Sequence, residues 1–204
     1  MGRLIATEFT TVDGVAQAPG GRDEDRDVDF EFGGWQAPLI DHDSVRSAFD
    51  QAKTMDALLL GRRTYEIFSG YWPTAPVEIP YTNLLNGVPK YVASRTLIEP
   101  LQWHGTDLVS GDLAEAVTAM KERHGEIHVI GSLNLLQSLL RLNLVDQLNL
   151  WQFPLVLGRG KRVFGDGTVP TLLTLSESVT HANGTLQLTY VTAGAPDFAD
   201  FENN

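Results

Sequence analysis

The feature that most constrains this chain is the run IHVIGSLNLLQSLLRLN, residues 127–143. Ile127 to Ile130 is a short apolar stretch with β-branched residues, suited to a buried strand, and Gly131-Ser132 stops it. Ser132 is a suitable N-cap for a helix in which Leu133, Leu136 and Leu140, with Leu135, Leu139 and Leu142, form a broad apolar face until Asn143 ends it. Strand, tight turn and helix start, in that order, gather backbone N–H groups and the positive end of a helix dipole at one point, where a phosphate can sit. Many α/β proteins turn from strand to helix in this way without a ligand, so other motifs must decide.

The same alternation runs along the chain. Leu4 to Phe9 reads as a first strand. Asp43 or Ser44 can cap a helix to about Thr54, with Val45, Ala48, Phe49 and Ala52 at helical spacing, and Ala57 to Leu60 follows as a buried strand closed by Gly61. Thr64 caps a short helix through Phe68 that ends in Tyr71-Trp72-Pro73. Lys90 to Ser94 is a third strand and Asp107 to Val109 a candidate fourth. Asp112-Leu113-Ala114-Glu115, an acidic variant of the capping box, opens a helix whose Leu113, Val117 and Met120 face inward until Gly125. Leu148 to Phe153, Leu172 to Leu175 and Leu186 to Val191 read as strands of a final meander, with Asn183-Gly184 as a hairpin turn. The expectation is one α/β domain over residues 1–204, its sheet mostly parallel with an antiparallel C-terminal edge.

Between the first strand and about Asp41 lies a connection rich in Gly, Pro and Asp, too long to be structureless in a compact domain without a reason. Gly20-Gly21 and Gly33-Gly34 could hinge the segment from Pro19 to Trp35 as a lid, or the segment is an inert insert. Its alternating Asp25, Asp27 and Asp29 do not make a calcium loop, because Phe30 and Gln36 stand where that loop needs Gly and Glu.

Composition narrows the function classes. A formal net charge of −11 repels nucleic acid, so an anion site must come from a local cluster such as Arg62-Arg63, Arg95 or Lys161-Arg162. The absence of cysteine excludes disulfides and thiolate chemistry. No apolar run approaches the ~20 residues of a bilayer span, and the first residues lack the pattern of a secretory signal; cytoplasm is the expected location. Gly158 and Gly160 begin a G-x-G-x-x-G pattern, but Val163 replaces its third glycine, and neither a Walker A nor a G-x-S-x-G turn occurs. His124 and His128 have ligand spacing, yet Gly125 interrupts any helix that would align them, so no metal site is expected.

Three strand ends survive this filter. Gly61-Arg62-Arg63-Thr64, Ser94-Arg95-Thr96 and Gly131-Ser132 each follow an expected strand and can meet along the C-terminal edge of one sheet, where α/β proteins bind ligands. Arginine forks and hydroxyls suit a phosphorylated nucleotide. In order and spacing these motifs, with Thr11-Val12-Asp13-Gly14, Leu144-Val145-Asp146-Gln147-Leu148 and Pro154 to Gly158 with Gly160-Lys161, resemble the dihydrofolate reductase-like fold. The resemblance is nearer to the branch related to the reductase domain of bacterial bifunctional riboflavin biosynthesis proteins, and it covers almost the whole chain.

The resemblance implies a three-layer sandwich, a homodimer and NADPH lying across the strand ends. Arg62, Arg63, Ser94 and Arg95 would surround the 2′-phosphate, Gly131 and Ser132, followed by Leu133 and Asn134, would cradle the pyrophosphate, and Thr64 would bind the adjacent phosphate. It also implies a reductase acting on a small heterocycle, akin to 5-amino-6-(5-phosphoribosylamino)uracil reductase. Two departures bear on the substrate. Val45 replaces the acid that holds the pterin in dihydrofolate reductases, and Ile130 or Val129 replaces a glutamate that riboflavin-pathway reductases often place before the glycine pair. Trp35, Tyr65 and Trp72 are the aromatic candidates for substrate contact, and Asp13 and Asp41 the candidate acids. The rivals are a non-catalytic NADPH-binding regulator, a dihydrofolate or pteridine reductase, and a plain interaction domain, against which the arginine-bearing strand ends argue.

Overall fold

The structure is a computed structural model and describes residues 1–200. In chain order its elements are β1 (Arg3–Thr11), α1 (His42–Ala52), β2 (Ala57–Gly61), α2 (Arg62–Tyr71), α3 (Pro80–Gly87), β3 (Lys90–Ala93), β4 (Thr106–Val109), α4 (Leu113–Arg123), β5 (Glu126–Ile130), α5 (Leu133–Arg141), β6 (Gln147–Phe153), β7 (Leu173–Thr180) and β8 (Leu186–Thr192). The strands form one sheet in the order β4-β3-β2-β5-β1-β6-β8-β7. All pairs from β4 to β6 are parallel, and β8 runs antiparallel to both β6 and β7. Helices cover both faces, which gives the expected α/β three-layer sandwich of the dihydrofolate reductase-like fold with an antiparallel C-terminal edge.

The alternation of side chains along the strands decides which helix packs where. Leu4, Ala6, Leu59 and Val129 face one way and bury against Val117 and Met120 of α4 and Leu136 and Leu139 of α5. Leu58, Leu60 and Val92 face the other way, against Ala52 of α1, Tyr65 of α2 and Leu85 of α3. A third cluster joins Trp35 and Phe30 of the long connection to Trp151 and Phe153 of β6. No helix among the described residues is long and apolar enough to cross a membrane.

Several local expectations are corrected. The C-terminal strands are not a simple meander, because β8 inserts between β6 and β7. The α1 cap is Asp41, not Asp43 or Ser44: its carboxylate accepts from the Ser44 N–H at 2.7 Å while the Asp41 N–H donates to the Ser44 hydroxyl, a reciprocal box that only the Asp41/Ser44 spacing provides. Thr64 does not start α2. Gly61, extended at φ −78° and ψ 158°, passes straight from strand to helix, so both arginines belong to the first turn. Helix α3 was not foreseen; Pro80 at its first position carries no N–H that the helix would need, so a proline that reads as a breaker opens the element.

Candidate functional site

Because β2, β3 and β5 are parallel and adjacent, their C-terminal ends open on the same edge, and a cleft of about 870 Å³ runs along it. Ser94, Arg95 and Thr96 follow β3, Gly61 ends β2 and Arg62 to Thr64 follow it, and Gly131 to Asn134 follow β5; all of them line the cleft. Glu8 and Phe9 of β1, Trp72, Gln17, Gln36 and Lys161 complete its wall.

Two helices start directly on this edge. Asp41 caps α1, and Asp112 caps α4, whose Leu113 reaches the cleft wall, by accepting from the Ala114 and Glu115 N–H groups; α3, away from the cleft, opens on Pro80 with no side-chain cap. Within the cleft, α2 and α5 begin without any side-chain cap. Their first-turn N–H groups are left for something else to satisfy, and the dipoles of both helices favour an anion there. Ser132 was expected to cap α5 and does not. It sits in the left-handed region at φ 63°, and its hydroxyl accepts instead from the Gly61 N–H at 3.0 Å, tying the two helix starts together. Gly131, at φ 61°, keeps the turn free of a Cβ beside Thr64.

The cations of the cleft are not equivalent. Arg62 bridges both oxygens of Glu66 one turn along α2, at 3.0 Å each. Arg63 reaches the long connection, where Asp25 accepts at 2.9 Å and Asp27 accepts from both guanidinium nitrogens. Lys161 joins the same pair, 2.5 Å from Asp25 and 2.7 Å from Asp27. The hydrogen bonds from Arg63 and then Lys161 hold the Asp27 carboxyl near 2. For Asp25, burial opposes ionisation, but Lys161 and Arg63 outweigh it and its pKa is lowered. Arg95 is exposed and has no ion-pair partner among the described residues. The Ser94 hydroxyl accepts from the Thr96 and Leu97 N–H groups at 3.1 Å, which shapes the turn that carries Arg95.

The remaining candidates divide. Trp72 lines the cleft. Trp35 does not: it is 7% exposed, packs edge-on against Phe153 and donates its indole N–H to the Gln17 carbonyl. Tyr65 is buried in the second core cluster, its hydroxyl accepting from the Trp103 N–H. Asp13 lies outside the cleft and staples a turn, accepting from the Thr11 hydroxyl and the Leu157 and Gly158 N–H groups. These bonds overcome the opposing effect of desolvation and lower its pKa. Asp41 is the α1 cap, its pKa lowered by the Ser44 hydrogen bonds. Neither aspartate touches the cleft.

Besides Glu24 and Asp25, the cleft is lined by a buried acid that was not singled out from the sequence. Glu8 is only 2% exposed, and its Oε1 has no hydrogen-bond partner. Burial pushes its carboxyl up to about 8. The signal lay in its position: a single acid within the otherwise uncharged strand run Leu4 to Thr11 is costly to bury unless it has a use. The long connection is also more ordered than a free lid. Gln17 donates to the Asp25 and Asp27 carbonyls, and a Cβ at Gly33 would collide with the Arg22 carbonyl, so that glycine serves close packing.

A family model described as the RibD C-terminal domain matches residues 3–187. "Uncharacterized protein YyaP" of Bacillus subtilis (strain 168) is 28% identical over 145 residues, 69% of this chain and 76% of that protein. Among solved structures, a putative riboflavin biosynthesis protein from Shewanella sp. PV-4 superposes with a TM-score of 0.73 at 20% identity, covering 94% of this chain and 99% of the other. A pyrimidine reductase-like protein from Corynebacterium diphtheriae gives 0.66 at 17%, covering 94% and 92%. RibD from Acinetobacter baumannii gives 0.59 at 10%, covering 95% of this chain and 58% of that one.

Proposed function

The chain belongs to the RibD C-terminal domain family, and from that premise we propose that it is an NADPH-dependent reductase delivering hydride to a C=N or C=O bond of a small heterocycle. One observation carries the reading: two uncapped helix starts and three polar strand ends open on one cleft of about 870 Å³. The donor set fits the cofactor. The first turns of α2 and α5, joined through Ser132 and Gly61, are suited to a pyrophosphate, with Thr64, Leu133 and Asn134 around it. Arg95, unpaired and carried on the Ser94 turn, is suited to the 2′-phosphate. Arg62 can turn from its exposed bridge to Glu66 at little cost, whereas Arg63 must first leave two aspartates.

NADPH, when bound, supplies the hydride. The protein orients the two reactants, keeps water from the deep end of the cleft with the segment folded over Gln17, and offers Trp72 and Phe9 as apolar walls. A pyrimidine is our proposed substrate class, in keeping with the description of one solved relative that shares the fold as pyrimidine reductase-like. Val45 and Ile130, standing in place of acids, favour the non-catalytic alternative. A carboxyl in the cleft, that of Glu8, weighs against it. We further propose a homodimer formed through the C-terminal strands, where Leu175, Val179 and Val191 are exposed.

The test is NADPH oxidation with 5-amino-6-(5-phosphoribosylamino)uracil and, separately, with dihydrofolate. Turnover is expected with the first and little with the second. Tight NADPH binding with no turnover of either, or of a wider panel of heterocycles, would favour the regulatory role.

A further inference from the structure

The cleft has a direction set by the sheet. Ser94-Arg95 follows β3, Gly61-Arg62 follows β2, Gly131-Ser132 follows β5, and Glu8 lies on β1; these four strands are neighbours in that order. Adjacent strands lie about 4.8 Å apart, so three spacings separate the cationic end from Glu8 by roughly 14 Å. The inference rests on the cofactor reading above: with the 2′-phosphate at Arg95 and the pyrophosphate over the two helix starts, the nicotinamide end falls at β1.

We propose that Glu8 is the proton-carrying counter-ion of the nicotinamide ring, keeping its proton while the ring is reduced and neutral and giving it up as the ring becomes cationic. The surroundings of the carboxyl support this. On its face of β1 the neighbours are Ala6 and Thr10; Glu8 itself pairs with Leu150 of β6, and Ala6 with Leu148 of β6 and Val129 of β5, none of which titrates. His128 pairs with Ile5 and so lies on the opposite face. The charged groups of the same cleft are Glu24, Asp25, Arg62, Arg63, Arg95 and Lys161. None of these acts on Glu8, whose elevation to about 8 comes from burial alone. An unpaired carboxyl in apolar surroundings stays neutral, and a fixed positive charge beside it reverses that preference.

In the reaction the acceptor carbon receives hydride, with its electron pair, from the dihydronicotinamide. The π pair of the C=N or C=O bond moves to the heteroatom, the O–H bond of Glu8 breaks, and the heteroatom takes that proton directly or through water. Glu8 is left as a carboxylate beside the pyridinium, and it regains a proton from solvent when reduced cofactor replaces oxidised. Proton and hydride therefore come from the same end of the cleft.

Calorimetry in two buffers of different ionisation enthalpy counts protons without any substrate. At neutral pH, NADP⁺ should release about one proton more than NADPH in the wild type, and this difference should vanish in Glu8→Gln. Binding of 2′,5′-ADP, which carries the phosphate end and no nicotinamide, should be the same in both proteins. An equal NADP⁺–NADPH proton difference in wild type and Glu8→Gln, with normal 2′,5′-ADP binding, overturns the counter-ion role and leaves the cofactor reading intact. Failure of NADPH and 2′,5′-ADP to bind overturns both. Should Glu8→Gln not fold, a wild-type pH series decides: the proton difference should disappear above about pH 8, where the carboxyl is already ionised, and a difference that persists there refutes the proposal.

Discussion

Replacing Glu8 by Gln should make the protein more stable, and the gain should grow with pH. Gln matches Glu in shape but never has to lose a proton in the interior. In the native state burial pushes the Glu8 carboxyl up to about 8 from its ordinary 4.5, so between those values the unfolded chain has released the proton while the folded chain keeps it. Because the native state binds more protons there, stability falls as pH rises: the contribution is fully present below the ordinary carboxyl range and is lost through about 8. At 1.36 kcal/mol per pH unit of separation, the loss is on the order of 5 kcal/mol, an upper figure because water can enter around an ionised group. Urea unfolding of both proteins, without ligand, measures it. The stability difference should be small near about pH 4 and should rise by several kcal/mol to a plateau above about pH 8. Asp13, Asp25, Asp27 and Lys90 also titrate abnormally, but they are present in both proteins and cancel in the difference. A difference that stays flat across this range would refute the argument that Glu8 is buried without a partner.

Arg95→Ala should weaken NADPH by about tenfold or more, the loss of one charged hydrogen bond of ~1.5–3 kcal/mol, and leave NADH nearly unchanged; equal losses by calorimetry would deny the 2′-phosphate assignment. Asp41→Ala should cost about 1 kcal/mol of stability through the lost cap without changing NADPH affinity; altered cofactor binding would mean that Asp41 is more than a cap. Asp25→Asn with Asp27→Asn should speed hydrogen exchange across residues 19–35, since their charged contacts with Arg63 and Lys161 hold the segment down; unchanged exchange would show that Gln17 and the Trp35 packing suffice. Light scattering should give twice the chain mass, and Leu175→Glu or Val179→Glu should reduce it to one; a monomeric wild type would dismiss the proposed interface.

The elements of this fold were legible where local chemistry and tertiary packing agree. The leucine stripe of α5 meets the sheet as its spacing requires, Asp112 caps α4, and the parallel order of β2, β3 and β5 brings three separate strand ends to one edge. Expectations failed where several residues could do the same local work. Asp41, Asp43 and Ser44 all offer an oxygen to α1, and only the reciprocal bond across three positions selects Asp41. The site was half legible for a related reason: charge type could be read, but partners could not. Arg62, Arg63 and Arg95 look equivalent in a string of residues. In the structure one is bridged within its own helix, one is clasped by aspartates some forty positions away, and one is open.

Glu8 shows what a sequence does not carry. The strands that pair with β1, β5 and β6, arrive from more than a hundred residues later, and their pairing makes β1 an interior strand whose Glu8 is buried. A glutamate in a first strand reads as ordinary if that strand is an edge and as expensive if it is central, and only topology distinguishes the two. Once β1 is seen at the centre, the unpaired carboxyl and the uncapped helix starts become comparable observations. Each is a polar group whose partner the chain does not provide, and they lie along one cleft in the order in which a dinucleotide would present phosphate, pyrophosphate and ring.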